Sequence, residues 1–289
     1  MRVVAPFGAQ PLTIAATHAG HAHTHPTATA THRAFIERLA QRDAVSAAGP
    51  RRPKALLLDA AGTFLIPSES VSDVYLRYAR PHGVTAEPRD VLAGFRLAYN
   101  DPWGPQRYVG AARDFWRRVV FSALGTDNEA VFRDIYAYYA RPEAWRIPPG
   151  ARDALTRVRA AGVRIGIVSN FDSRLRPLLA ALDLSRLFDA VIVSAEVGAE
   201  KPSPRIFDAA CDALRVDPTR DFVLHVGDDR RNDVWGARAC GIEAWLWGED
   251  VESYEEIADR IVTGHTALCG AADDPGAVLG GRARQDAVL

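Results

Sequence analysis

The sequence is poor in lysine, in cysteine and in long hydrophobic runs. Only Lys54 and Lys201 are lysines among the 35 basic residues, and the others are arginines. The three cysteines, Cys211, Cys240 and Cys269, are far apart, which indicates free thiols in a reducing compartment rather than disulfides or a zinc site. No run approaches the ~20 consecutive apolar residues that a membrane span needs. We therefore expect a soluble protein without a membrane partner.

An excess of positive charge is also missing. The 35 basic and 36 acidic residues give a formal net charge of −1 at pH 7. A nucleic-acid partner is not expected, because binding of its phosphates depends mainly on a basic surface. Hydrophobic residues make up 48% and charged residues 25% of the 289 positions, which indicates an ordinary globular protein of one or two domains.

The two ends of the chain differ from its middle. The first acidic residue is Glu37, and the segment before it is rich in Ala and Thr and has no apolar periodicity. We expect residues 1–50 to form a disordered leader. An acid-poor, hydroxylated leader is typical of a transit peptide, which favours the plastid, with the mitochondrion or the cytosol as alternatives. The Gly- and Ala-rich residues 264–289 are expected to form a disordered tail.

Short apolar runs alternate with helical patterns between these ends. The apolar runs occupy residues 54–59, 163–169, 190–194, 222–226 and 243–247. The helical patterns that separate the later runs occupy residues 151–161, 174–182, 204–214 and 232–240. This alternation predicts an α/β fold with a doubly wound parallel sheet. Residues 66–148 break the alternation with four consecutive helical patterns, which predicts an all-helical insertion after the first strand.

Polar side chains gather where the predicted strands end. Because the carboxyl ends of parallel strands share one edge of a sheet, these side chains are expected to lie together at a ligand site. Several carboxylates suit Mg²⁺, and a single lysine suits an anion such as phosphate. The residues in question are Asp59, Thr63, Ser169, Asn170, Lys201, Asp228 and Asp233.

In this order the residues resemble the four motifs of the haloacid dehalogenase-like hydrolase superfamily, over about residues 54–263. The segment from Asp59 to Thr63, Asp-Ala-Ala-Gly-Thr, is similar to the first motif of its dehalogenase-like subgroup. The resemblance implies a Rossmann-like core formed by residues 54–65 and 149–263. It also implies that residues 66–148 are the helical cap of that family.

The resemblance further implies a role for each motif residue. Asp59 would be the nucleophile and Thr63 would orient it. Ser169 and Asn170 would bind the transferring phosphoryl group, and Lys201 would neutralise negative charge. The residues that would hold Mg²⁺ are Asp59, Ala61 through its backbone carbonyl, Asp228 and Asp233.

Ala61 departs from the family pattern, because most phosphatases of the family have a general acid, an aspartate, at this position. Three readings stay open: a phosphatase limited to good leaving groups such as acyl or aryl phosphates, one that takes an acid from the cap, and a protein that binds a phosphorylated ligand or a partner without turnover. Phosphonoacetaldehyde hydrolysis would need a cap lysine, and no lysine lies between residues 54 and 201. Dehalogenation of 2-haloacids uses no metal, so the acidic cluster disfavours it.

The sequence therefore predicts a Mg²⁺-dependent hydrolase of this superfamily. Its expected reaction is hydrolysis of a small phosphorylated metabolite through an aspartyl-phosphate at Asp59.

Overall fold

A parallel five-stranded sheet organises the part of the chain that the computed structural model describes, residues 51–101, 107 and 112–266. The predicted leader, most of the predicted tail and Cys269 lie outside these residues. The strands are β1 (Ala55–Leu58), β2 (Ile66–Pro67), β3 (Trp145–Arg146), β4 (Arg164–Ser169), β5 (Ala190–Val193), β6 (Val223–Gly227) and β7 (Glu243–Leu246).

The order of the large sheet is β5-β4-β1-β6-β7, with every neighbouring pair parallel. The chain moves outward from β1 to β5 and then crosses to β6 on the other side of β1. This topology places the switch point, where ligands bind in such sheets, at the carboxyl end of β1. The predicted doubly wound α/β fold is confirmed.

Ten α-helices surround the sheet or form the insertion, within the residues described. In chain order they are α1 (Val71–Ala79), α2 (Pro88–Asn100), α3 (Arg113–Leu124), α4 (Glu129–Tyr138), α5 (Ala151–Ala160), α6 (Leu175–Ala181), α7 (Ser194–Val197), α8 (Pro204–Leu214), α9 (Gly236–Ala239) and α10 (Tyr254–Thr263).

Strand β1 is completely buried because helices cover both faces of the sheet. Leu56 and Leu58 belong to one apolar cluster, together with residues of α5, α6 and α10. Ala55 and Leu57 belong to a second cluster on the opposite face, which α8 completes. The continuous apolar sequence of β1, without the alternation of a half-exposed strand, follows from this two-sided burial.

Helices α1 to α4 form a separate apolar cluster beyond the end of β1. We refer to residues 71–138, within the described residues, as the cap. Helices α2 and α3 approach closely at Gly94, where an added Cβ would come within 2.8 Å of the Ser122 carbonyl oxygen. Strands β2 and β3 pair antiparallel, so the chain enters and leaves the cap region at one place.

Three further features complete the fold. The helix predicted over 232–240 begins instead with a wide π-helical turn, Arg230–Trp235, in which the Val234 amide bonds to the Asp229 carbonyl. Cys211 and Cys240 are buried, and neither forms a disulfide within the described residues. No helix among residues 51–101 and 112–266 is both long and apolar enough to cross a membrane.

Candidate active site

The strand ends bring the predicted polar residues together at the carboxyl edge of the sheet. Asp59 follows β1 directly and its amide donates to the Val226 carbonyl of β6, at 2.9 Å. Ser169 is the last residue of β4 and is buried, while Asp228 follows β6. Oxygen atoms of Asp59, Asp228 and Asp233 lie within 4.8 Å of one another.

Lys201 is the buried cation of this site. Its Nζ donates to Oδ1 of Asp59 at 2.7 Å and to Oδ1 of Asp233 at 2.6 Å, and its side chain is only 3% exposed. Asn170 fixes the backbone of the same residue, since its side chain accepts from the Lys201 amide at 2.6 Å and donates to the Lys201 carbonyl at 3.0 Å. The Asn170 side chain therefore positions the lysine.

Thr63 and Gly62 shape the position of Asp228. The Thr63 hydroxyl donates to Oδ1 of Asp228 at 3.2 Å, so its observed bond is with this carboxylate rather than with Asp59. Gly62 has a φ of +92°, and an added Cβ would lie 2.4 Å from Oδ2 of Asp228. The Gly-Thr pair of the first motif thus provides both the space and a hydrogen bond for a carboxylate from another strand.

The close carboxylates shift one another's pKa. Burial raises the pKa of Asp59, and the Asp233 charge adds to this while Lys201 opposes it. Burial and the charges of Asp59 and Asp233 raise the pKa of Asp228 well above its usual range. Burial also disfavours ionised Asp233, but Lys201 and a hydrogen bond from His225 outweigh it and lower the pKa. Of the three carboxylates, Asp228 is the one whose negative charge is least stabilised by nearby positive charge and hydrogen bonds.

This donor set fits Mg²⁺. Three carboxylates and one ammonium carry formal charges of −3 and +1, which leave the cluster at −2 when all are ionised. The donors are all oxygen atoms, as Mg²⁺ prefers, and a divalent cation would cancel the remaining charge. A divalent cation there would also stabilise the ionised form of Asp228, whose pKa burial and the two neighbouring carboxylates raise.

Comparisons with known proteins agree with this arrangement. A family model described as haloacid dehalogenase-like hydrolase matches residues 53–241. The chain belongs to this family. A Homo sapiens relative, haloacid dehalogenase-like hydrolase domain-containing protein 3, is 33% identical over 205 residues, which are 67% of this chain and 81% of the relative. The predicted family is confirmed.

Two further similarities concern proteins named as phosphatases. Glyceraldehyde 3-phosphate phosphatase of Pyrococcus furiosus is 32% identical to this hydrolase over 121 residues, 40% of this chain and 50% of the relative. The crystal structure of a HAD phosphatase from Thermococcus onnurineus has a TM-score of 0.54 at 24% identity and covers 73% of this chain and 98% of that one. The second similarity shows a shared fold.

Both carboxylate oxygens of Asp233 in the hydrolase form hydrogen bonds with protein groups. Its Oδ1 accepts from Lys201 and lies 2.9 Å from Nε2 of His225, and its Oδ2 accepts from the Asp229 amide at 3.0 Å. Since a carboxylate can only accept, His225 carries its proton on Nε2. The motif predicted Asp233 as a residue of the metal site, whereas its bond with Lys201 and the role of the fully buried His225 in orienting it were not predicted.

The sequence also gave no indication of the contacts that join the site to the cap. Asp172, two residues after Asn170, is buried, with its Oδ2 accepting from Nε1 of Trp116 on α3 at 3.1 Å. Arg174 pairs with both oxygens of Asp172, at 2.7 and 2.8 Å, and donates to the Tyr136 carbonyl on α4 at 3.1 Å. The loop after β4 is thus bonded to two cap helices.

Proposed function

We propose that this hydrolase is a Mg²⁺-dependent phosphatase that acts on a small phosphorylated metabolite through an aspartyl-phosphate on Asp59. The observation that carries the proposal is the buried contact of 2.7 Å between Lys201 Nζ and Asp59 Oδ1. Two anions, carboxylate and phosphate, repel each other unless fixed positive charge offsets the repulsion. The similarity to a relative named as a phosphatase supports the same reaction class.

The reaction has two steps. A carboxylate oxygen of Asp59 attacks phosphorus, an O–P bond forms, and the ester P–O bond breaks with its electron pair going to the leaving oxygen. A water oxygen then attacks the same phosphorus, the bond to Asp59 breaks, and inorganic phosphate leaves. The water loses its proton to solvent or phosphate, and Asp59 returns to its carboxylate form.

The surrounding residues prepare Asp59 for this chemistry. Lys201 holds one Asp59 oxygen in place. The family pattern assigns Ser169 and Asn170 as phosphoryl contacts, and the Asn170 side chain also positions Lys201. Mg²⁺ would be held by Asp59, Ala61 through its carbonyl, and Asp228, with Asp233 supporting its shell, and would supply positive charge to the phosphoryl oxygens. Thr63 keeps Asp228 oriented by the hydrogen bond already described.

Ala61 limits the leaving group. A methyl group cannot donate a proton, so the leaving oxygen has to depart as an anion, which favours acyl and aryl phosphates. Ala61 also favours a second candidate function, the binding of a phosphorylated ligand or a partner without turnover. Substitution of Asp59 separates the two functions, because only a catalyst needs its nucleophile.

The full-length Asp59→Asn variant is expected to lose phosphate release from acetyl phosphate and para-nitrophenyl phosphate, by at least about 10³-fold relative to wild type. Wild-type release should require Mg²⁺ and stop in EDTA. The matched control is Asp73→Asn, the same change at an exposed position of α1, which should leave the rate unaltered. Absence of Mg²⁺-dependent release from the wild type, with phosphate binding retained in Asp59→Asn, would support the binding function instead.

The Asp228→Asn variant is expected to be more stable than wild type in EDTA, by on the order of 1 kcal/mol at pH 7. A folded-state pKa raised above the unfolded value favours folding at low pH, and this contribution is lost as pH rises through the folded pKa. The substituted asparagine does not ionise, so the variant does not lose this stability as the pH rises. Urea unfolding should also show that Mg²⁺ stabilises wild type and not the variant. Equal Mg²⁺ stabilisation of both would remove Asp228 from the metal site.

A further inference from the structure

A cavity between the sheet edge and the cap begins at Ala61 and Asn170. It is partly open to solvent. Nine of the 17 described residues that line it are aromatic, and four more are aliphatic. Such a lining favours flat apolar groups.

The described residues of this lining include two cations and one anion, and the carboxylate of Glu200 lies just outside it. Arg174 and Asp172 form the ion pair described above. The guanidinium of Arg107 lies 4.4 Å from the ring centres of both Tyr99 and Phe115, and one of its nitrogens is 4.0 Å from Oε2 of Glu200. Each of the two cations among the described lining residues therefore has an anion within 4.0 Å. A substrate that carried a second negative charge beyond its phosphate would meet no uncompensated cation there.

The described residues of the lining also include no efficient proton donor for the leaving oxygen. Ala61 replaces a carboxylic acid, and Asp172 is held as the partner of Arg174. Tyr99 is one of the phenols of the lining, and burial raises its pKa.

We propose that the substrate is the phosphate monoester of an uncharged aromatic hydroxyl compound. Its ring lies among the aromatic side chains of the cavity, and its phosphate reaches Asp59. The aryl group delocalises the charge of the departing oxygen, which removes the need for the acid that Ala61 lacks. This inference rests on the proposed phosphatase function and names its substrate class.

Binding of non-hydrolysable phosphonates to the full-length protein with Mg²⁺ tests the apolar part of the inference. We expect phenylphosphonate to bind at least about tenfold more tightly than methylphosphonate, by calorimetry and by competition with para-nitrophenyl phosphate. Tyr99→Leu should reduce this ratio at least about threefold. The matched control, Tyr78→Leu, changes a cap tyrosine outside the cavity lining and should keep the ratio. Equal binding of the two phosphonates would overturn the inference.

A series of substituted phenyl phosphates tests whether the site supplies a proton to the leaving oxygen. The logarithm of kcat/KM should fall steeply as the pKa of the leaving phenol rises, because the oxygen leaves without a proton. A flat dependence would show that a side chain donates one, and would overturn this part of the inference. Tighter binding of 4-carboxyphenylphosphonate than of phenylphosphonate would contradict the uncharged substrate. If Mg²⁺-dependent phosphate release is absent altogether, the proposed function fails; if release persists without aryl selectivity, only the further inference fails.

Discussion

Ala61→Asp is expected to hydrolyse alkyl phosphates that the natural chain cleaves poorly, with a gain in kcat/KM of about 10²–10⁴. Ala61 lines the cavity and stands two residues after the proposed nucleophile, where most phosphatases of the family have their acid. A carboxyl group there can donate its proton to the leaving oxygen in the first step and accept a proton from water in the second. The measurement is phosphate release from glycerol 2-phosphate and from para-nitrophenyl phosphate.

The ratio between the two substrates is the informative quantity. Release from the aryl ester should change little in the first step, since nitrophenolate leaves without help, whereas release from the alkyl ester should rise. Ala61→Asn provides the matched control, because the amide has nearly the same size and cannot act as an acid. Equal gains with Asn and Asp would assign the effect to shape, and no gain with Asp would mean that the proton is supplied from elsewhere.

Lys201→Met is expected to lower the free energy of unfolding by about 3–5 kcal/mol in EDTA. The lysine holds two buried carboxylates, and its removal leaves both without their cation. Phosphate release should fall to background as well, since Asp59 then becomes harder to ionise. Urea unfolding at pH 7 measures the first effect.

The second lysine of the chain provides a control for this prediction. Lys54 forms an ion pair with Asp221 at 2.8 Å, and its side chain is 46% exposed, so Lys54→Met should cost less than about 1 kcal/mol. The double variant Lys201→Met/Asp233→Asn should recover part of the lost stability, because only one of the two buried carboxylates then remains without its cation. A loss at Lys201 no larger than at Lys54, or no recovery in the double variant, would contradict the charge argument.

The sequence predicts the sheet and the identity of the clustered residues for one physical reason. Strands buried on both faces, such as Ala55–Leu58, are continuous apolar runs, and the polar residue that ends each run lies at the shared carboxyl edge. Asp59, Ser169 and Asp228 could therefore be assigned to one site before any contact was known. The insertion of helices after the first strand was visible in the same way, from the change of periodicity.

Contacts between distant segments could not be predicted, because no periodicity records them. The bond between Trp116 and Asp172 joins residues 56 positions apart, and each alone has the sequence pattern of a core or capping residue. The orientation of Asp233 by His225 depends on the wide turn at Arg230–Trp235, where an ordinary helix was predicted. Aromatic residues of the cap are likewise compatible with packing alone, and only their common cavity distinguishes those that face the site.

The scarcity of lysine has a practical consequence for experiments on this protein. Of its two side-chain amines, that of Lys201 is buried in the site, and that of Lys54 is accessible at the start of β1, on the far end of the sheet. Of the two lysines, an amine-reactive dye will therefore label Lys54 in the folded chain and leave Lys201 unlabelled. Attachment of the dye to Lys201 would show that the site has unfolded, without any assay of turnover.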